Sequence, residues 1–191
     1  SGLLLATTGL PAGASGSEID VDDALGLVKS TTAQLLGEVQ AEKDVNAARA
    51  FDLVAKHIDP VVDLERSARW ILGKHWRKAT PDQRKRFVEE FRKMLIRTYA
   101  IAVAENPNVD IEYLPVKRTK RPHEAIVETR IPQPTSPPIA IDYRLHGDDK
   151  GWKLFDVTIE GVSLVRTYRS SFSPRVRKNG LDALIEDMAE K

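Results

Sequence analysis

The sequence has no cysteine, almost no net charge and no long apolar run. Without cysteine, thiol catalysis and disulfide bonds are excluded. The net charge is +1, so no long-range field would draw the chain onto nucleic acid or an anionic membrane. No segment reaches the ~18–20 apolar residues that a membrane-spanning helix needs. The 191 residues are enough for one domain with a sizeable core.

Familiar catalytic motifs are also missing. The histidines are scattered and show no metal-ligand spacing; they are His57, His75, His123 and His146. No GxGxxG motif or P-loop occurs, and residues 161–165 begin like a nucleophile elbow but lack its second glycine. Ser163 is instead expected to cap a helix. We therefore expect that the protein is not an enzyme and that it has no catalytic residue, metal or cofactor.

Two classes of function, a small-molecule enzyme and a non-catalytic interaction module, stay open as alternatives at this point. Asp156 lies among apolar neighbours, where a raised pKa would suit a general base, as in small cone-shaped isomerases. An ion pair or hydrogen bond to a nearby arginine is the favoured alternative for this residue. A non-catalytic interaction module would instead use the basic helices as a docking surface. Nucleic acid is not an expected partner, because no aromatic residues interleave the basic segment 117–121.

The first half of the chain is predicted to be helical. Apolar spacing predicts helices over about Asp22–Gln40, Val45–His57 and Val62–Trp76. A fourth helix begins at Thr80, with Pro81 in its first position and Gln83 completing a capping box. It ends at Asn106, and a last amphipathic helix follows Gly180.

The second half is rich in strands. Apolar and polar residues alternate over Val109–Lys117, Glu124–Ile131, Ile139–Leu145 and Trp152–Ile159. Such alternation favours an antiparallel sheet with one covered face and one wet face. Helices followed by a meander of strands predict an α+β fold. We expect helices packed on one face of a curved, mostly antiparallel four-stranded sheet, enclosing an apolar cavity.

The segment Gly151–Phe172 organises this prediction. It is expected to form a strand that turns at Glu160-Gly161 into a short helix. Strict alternation puts one set of residues on one face of the strand: Phe155, Val157 and Ile159. The other face then carries Trp152, Leu154, Asp156 and Thr158. In the helix, an apolar stripe comprises Val162, Val165, Tyr168 and Phe172.

The N-terminal segment is set apart from the domain. Residues 3–10 are apolar, and Ala12-Gly13-Ala14 is a small-x-small tripeptide, which is typical of the end of a secretory signal. Residues 1–17 are expected to be a residual signal peptide or a flexible tail. Residues 18–191 are expected to form a single domain.

Several blocks of the sequence resemble the MlaC family. The densest are WKLFDVTIEGVSLVRTYRSSF (152–172) and ARWILGKHW (68–76), and VRKNGLDALI (176–185) is similar too. The likeness covers nearly all of residues 20–191. Members of this family are also called toluene-tolerance proteins and belong to the maintenance-of-lipid-asymmetry system. The resemblance implies a monomeric phospholipid carrier in the periplasm of a Gram-negative bacterium. Its implied partners are phospholipid, an inner-membrane ABC transporter complex with its substrate-binding component, and an outer-membrane lipoprotein–porin complex.

The resemblance and the facing patterns together predict the lipid site. Acyl chains are implied between sheet and helices, with the head group in solvent and the phospholipid as cargo, not cofactor. The expected tail contacts are Leu72, Trp76, Phe91, Leu95, Tyr99, Val127, Ile141, Tyr143, Phe155, Val157, Val162, Val165 and Tyr168. Arg144, Arg166 and Arg169 are expected at the mouth, where they would meet phosphate.

Overall fold

The computed structural model describes residues 20–42 and 45–190. The expectation for residues 1–17 lies outside these ranges. Within them, the helices are α1 (Val21–Ala41), α2 (Ala47–Ile58), α3 (Leu64–Leu72), α4 (Lys74–Lys78), α5 (Pro81–Glu105), α6 (Leu164–Asn179) and α7 (Leu181–Ala189). The strands are β1 (Glu112–Tyr113), β2 (Lys117–Arg118), β3 (Glu124–Ile131), β4 (Ile139–Asp148), β5 (Gly151–Ile159) and β6 (Val162–Ser163).

The helix boundaries follow from their caps. The Thr80 hydroxyl accepts a hydrogen bond from the Gln83 N–H at 3.1 Å, and the Gln83 side chain accepts from the Thr80 N–H at 3.0 Å, which is the predicted capping box. Ser163 caps α6 as predicted, because its Oγ accepts from the Arg166 N–H at 3.1 Å. The helix predicted over Val62–Trp76 is instead divided at Gly73, where φ is +53°.

The sheet is antiparallel throughout, as the alternation predicts. Its strand order is β1-β3-β4-β5-β6, and β2 also pairs with β3. The first predicted strand is divided around Pro115 into β1 and β2, which lie along the same edge of β3. The main sheet therefore has the four predicted strands, and the two-residue β6 extends it beyond β5.

A β-bulge changes which residues of β5 share a face. Tyr143 pairs with Val157 and Arg144 with Asp156, but Leu145 pairs with Leu154, so Phe155 is the extra residue. The prediction that Phe155 and Val157 share a face is therefore wrong. A strict period of two does not survive the insertion of one residue.

The buried apolar side chains form three separate clusters. The first is formed by the five helices from α3 through α7 and includes Phe87, Phe91 and Phe172. The second joins α1, α2 and α5, around residues such as Leu53. The third joins α1 to the sheet and includes Val127, Leu145 and Trp152. The sheet thus shares its buried core with α1, and the helices from α3 onward have a core of their own.

Among the described residues, no helix has both the length and the apolar character to cross a lipid bilayer.

Candidate functional site

Four of the predicted tail contacts lie on one face of the sheet. Val127 on β3 pairs with Tyr143 on β4, which pairs with Val157 on β5. Ile141 lies two residues before Tyr143, on the same face, and pairs with Ile159. Val127 is fully buried, whereas the other three predicted contacts and Ile159 are half-buried. This face is therefore apolar but incompletely covered by the protein itself.

The predicted set omits Ile159, although the alternation itself places it beside Val157. It is half-buried and pairs with Ile141. The sequence also gave no reason to single out the edge of this face, where the hydroxyls of Tyr113 on β1 and Thr32 on α1 are hydrogen-bonded. Lys29 lies 5.3 Å from the Tyr113 ring. That contact joins α1 to the strand, and no local pattern in the sequence indicates it.

Tyr143 reports on the polarity of this face. Burial raises the pKa of its phenol to about 12. A raised phenol pKa means that the ionised form is disfavoured, as expected where water is scarce. Charge would therefore be poorly tolerated beside Tyr143, including at its partner Val157.

The helices contribute a second group of predicted contacts. Phe91, Leu95 and Tyr99 follow one another along α5, and Val165 and Tyr168 belong to α6. The Phe91 and Tyr168 rings meet edge to face, with centroids 5.2 Å apart. Burial raises the pKa of Tyr168, and Tyr99 adds to the effect. Leu95, Tyr99 and Tyr168 are half-buried, so this wall is also only partly covered.

The four remaining predicted contacts lie in three different places. Leu72 and Trp76 are buried within the helical cluster, and the Arg84 guanidinium lies 5.2 Å from the Trp76 ring. The guanidinium groups of Arg66 and Arg144 lie 5.3 and 5.1 Å from the Phe155 ring, on the opposite side of the sheet. Val162 lies in β6 and is 57% exposed. Leu72 and Trp76 thus belong to the same buried cluster as Phe91, Val165 and Tyr168, whereas Val127 and Tyr143 of the sheet belong to a separate one. Phe155 and Val162 lie outside both clusters.

Two of the three arginines predicted at the mouth are engaged with the protein. Arg144 points to the same side of the sheet as Asp156 and Phe155, opposite to Tyr143. Its guanidinium is 3.3 Å from Glu124 and 3.8 Å from Asp156. Arg169 donates to the backbone oxygen of Trp70 at 3.0 Å. Both guanidinium groups therefore bind to groups of the protein itself.

Arg166 is the third predicted mouth residue, and it is exposed in the first turn of α6. In the part of the chain that the structure describes, no ion pair is recorded for its side chain. An exposed guanidinium at this position is suited to a phosphate group. Its role at the mouth stays a prediction.

Asp156 is buried and paired, as the favoured alternative predicts. Only 4% of the residue is exposed. Its carboxylate accepts hydrogen bonds from the Ser163 hydroxyl at 2.7 Å and from the Val165 N–H at 3.1 Å, and Arg144 balances its charge. A general base needs an approach for substrate. The acceptor positions of Asp156 are instead directed at the start of α6.

Two clefts open on the surface of the described residues. One, of about 330 Å³, is lined by Asp63, Glu65, Arg66, Arg69 and Trp70. The other, of about 360 Å³, is lined by Val21, Arg118, Thr119, Lys120, Arg121, Pro122, His123, Glu124 and Trp152. Neither contains a predicted tail contact, so the predicted apolar cavity stays a prediction. Across residues 20–42 and 45–190, no three His, Asp or Glu side chains are grouped to hold a metal ion.

Comparison with known proteins agrees with the resemblance seen in the sequence. The family profile described as MlaC protein matches residues 29–190. The toluene tolerance protein ttg2D of Pseudomonas putida is 29% identical over 160 residues, which are 82% of this chain and 74% of that protein. The intermembrane phospholipid transport system binding protein MlaC of Haemophilus influenzae is 24% identical over 172 residues, covering 86% of this chain and 79% of that one.

A solved structure shares the fold. It is the phospholipid-binding protein of Ralstonia solanacearum in complex with a phospholipid, at a TM-score of 0.80 and 30% identity. The match covers 88% of this chain and 96% of that chain. Since the family profile spans most of the sequence, the chain belongs to the MlaC family.

Proposed function

We propose that this protein is a phospholipid carrier whose cargo lies with its acyl chains between the sheet and helices α5 and α6. Family membership and the phospholipid complex of the Ralstonia solanacearum relative support the proposal. The observation that carries it is the pattern of half-buried apolar residues on two walls. Ile141, Val157 and Ile159 belong to the sheet wall, and Leu95 and Tyr168 to the helical wall.

The physical argument is that protein side chains do not fully cover these walls. Apolar surface left in contact with water costs ~25 cal/mol per Å², so a cluster of half-buried apolar residues favours an apolar occupant. Each methylene of an acyl chain removed from water contributes ~0.8 kcal/mol. Two chains of ordinary length therefore represent on the order of 20 kcal/mol before ordering costs. An enclosed site is needed to recover most of that energy.

The carrier works by binding and release, without covalent chemistry. In the cycle we propose, the protein moves through the periplasm as a monomer. It exchanges lipid with an outer-membrane lipoprotein–porin complex and with an inner-membrane ABC transporter complex. Spontaneous loss of cargo into water is slow because the tails would be exposed, so handover requires a partner that opens the gap between sheet and helices. Arg166 would stay near the phosphate at the mouth.

Native mass spectrometry of the purified protein tests the proposal. We expect a mass increase of one phospholipid per chain, and solvent extraction should release the lipid for identification. Incubation with phospholipid vesicles should restore the added mass after the protein is stripped of lipid. A folded protein that is purified empty and takes up no lipid from vesicles would contradict the proposed function.

A further inference from the structure

The bulge in β5 is the point where α3 is attached to the sheet. The Leu154 N–H donates to the Val61 oxygen at 2.8 Å, and the Asp63 N–H donates to the Leu154 oxygen at 2.7 Å. One residue further on, the Phe155 oxygen accepts from the Ser67 hydroxyl of α3 at 2.7 Å. Three hydrogen bonds therefore connect a single short segment of the sheet to α3 and to the residues that lead into it.

The next residue of this segment, Asp156, attaches α6. Its two carboxylate oxygens accept from the Ser163 hydroxyl at 2.7 Å and the Val165 N–H at 3.1 Å. Both donors lie at the start of α6, where backbone N–H groups have no partner within the helix and a negative charge is favoured. With 4% of the residue exposed, these are charge-assisted bonds in a water-poor place.

This attachment joins the two elements that carry the walls of the proposed lipid site, β5 and α6. Val157 follows Asp156 directly and points to the opposite face of the sheet, beside Tyr143. Val165, whose N–H the carboxylate holds, begins the helical wall that continues to Tyr168. A single side chain thus fixes the start of one wall against the strand that forms the other.

We propose that Asp156 is a positioning residue for lipid retention: it holds α6 against β5, so that its loss lets the two walls separate more readily and releases the phospholipid faster. The inference rests on the proposed function, because it concerns the same site. Asp156 acts through α6 and need not contact the lipid.

The chain offers a matched control in Glu124. It is 6% exposed and is paired with the same Arg144, at 3.3 Å. Its other cationic neighbours are Arg66 at 4.0 Å and Arg121 at 3.7 Å. Glu124 has no recorded bond to the described residues of α6. Neutralising it removes a buried carboxylate of the same charge network and leaves the α6 attachment in place.

The experiment compares Asp156→Asn, Glu124→Gln and the wild-type protein. Each is loaded with a pyrene-labelled phosphatidylglycerol and mixed with excess vesicles of phosphatidylethanolamine and phosphatidylglycerol, and the transfer of fluorescence is followed. We expect loading near one lipid per chain in all three. Asp156→Asn should release lipid about tenfold faster, which corresponds to ~1.4 kcal/mol lost from the attachment. Glu124→Gln should stay within about twofold of wild type.

The possible results separate the two proposals. Equal release rates in all three proteins, or equal acceleration in both variants, would overturn the role of Asp156 while lipid loading upholds the carrier. A wild-type protein that takes no labelled lipid would overturn the carrier and this inference with it. Should Asp156→Asn fail to fold, Ser163→Ala decides, since it removes one of the two bonds and keeps the carboxylate. Because it also removes the cap of α6, its control is Thr80→Ala, which removes the corresponding cap of α5 and leaves the Asp156 bonds in place. Release about threefold faster would support the inference, and the wild-type rate would reject it.

Discussion

A charge placed on the sheet wall should abolish lipid binding. The perturbation is Val157→Glu, at a half-buried position whose cross-strand partner is Tyr143. The matched control is Thr158→Glu, one residue further along β5. Thr158 pairs with Asp142 and faces the opposite, polar side of the sheet. The two variants carry the same charge on the same strand and differ in the face that receives it.

The magnitude follows from the surroundings of Tyr143. Burial raises the pKa of that phenol to about 12, so an ionised group beside it is disfavoured. Removing a carboxylate from water costs several kcal/mol without a cationic partner. If ~3 kcal/mol of that cost is incurred when lipid enters, binding weakens more than a hundredfold. The control meets Asp142 on β4 and Ser163 on β6, and a like-charge pair across strands costs at most ~1 kcal/mol.

The assay is lipid content after purification, measured by native mass spectrometry, with circular dichroism to establish that both variants are folded. We expect Val157→Glu to be purified empty and Thr158→Glu to keep one lipid per chain. Folded Val157→Glu that retains its lipid would refute the placement of Val157 in the lipid site. Loss of lipid from both variants would show that added charge, and not the face, is responsible.

Two further predictions concern stability. Phe91→Ala removes a ring that is 2% exposed and packs on Phe87, Tyr168 and Phe172. The free energy of unfolding measured with urea should fall by about 3–5 kcal/mol, and a fall below ~1 kcal/mol would contradict this packing. Burial and nearby Lys74 lower the pKa of His75, whose Nε2 is buried without a partner. Because the unfolded chain then binds more protons, the free energy of unfolding should fall as pH drops from about 7.5 to 5.5. The variant His75→Leu should reduce that fall, and an equal pH dependence in both proteins would show that His75 is not responsible.

Local rules account for what the sequence predicted well. The capping box of Thr80 and Gln83, the cap at Ser163 and the alternation along the strands all depend on residues within a few positions of one another. Such contacts are specified by the residue types themselves. The order of these elements, helices first and strands afterwards, predicts the α+β class, so the fold class could also be predicted from the sequence.

The bulge lies beyond such rules. An extra residue at Phe155 leaves no mark in the sequence, because Leu154, Phe155 and Val157 are all compatible with an apolar face. Only the pairing with Arg144 and Leu145 across the sheet reveals it. For the same reason the sequence could name an ion pair for Asp156 but not its partner, and it placed Arg144 at the mouth.

Periodicity identifies residues that avoid water, but it does not say what covers them. Phe91 and Tyr99 lie on the same predicted face of α5, yet Phe91 is buried among other rings and Tyr99 is half-buried. The same division separates Val127, buried against α1, from Ile141 and Val157. In a protein whose core is complete, half-buried apolar residues would be scattered. Here they recur along the sheet and along α5 and α6, which is the pattern that the proposed carrier would need for a removable apolar occupant.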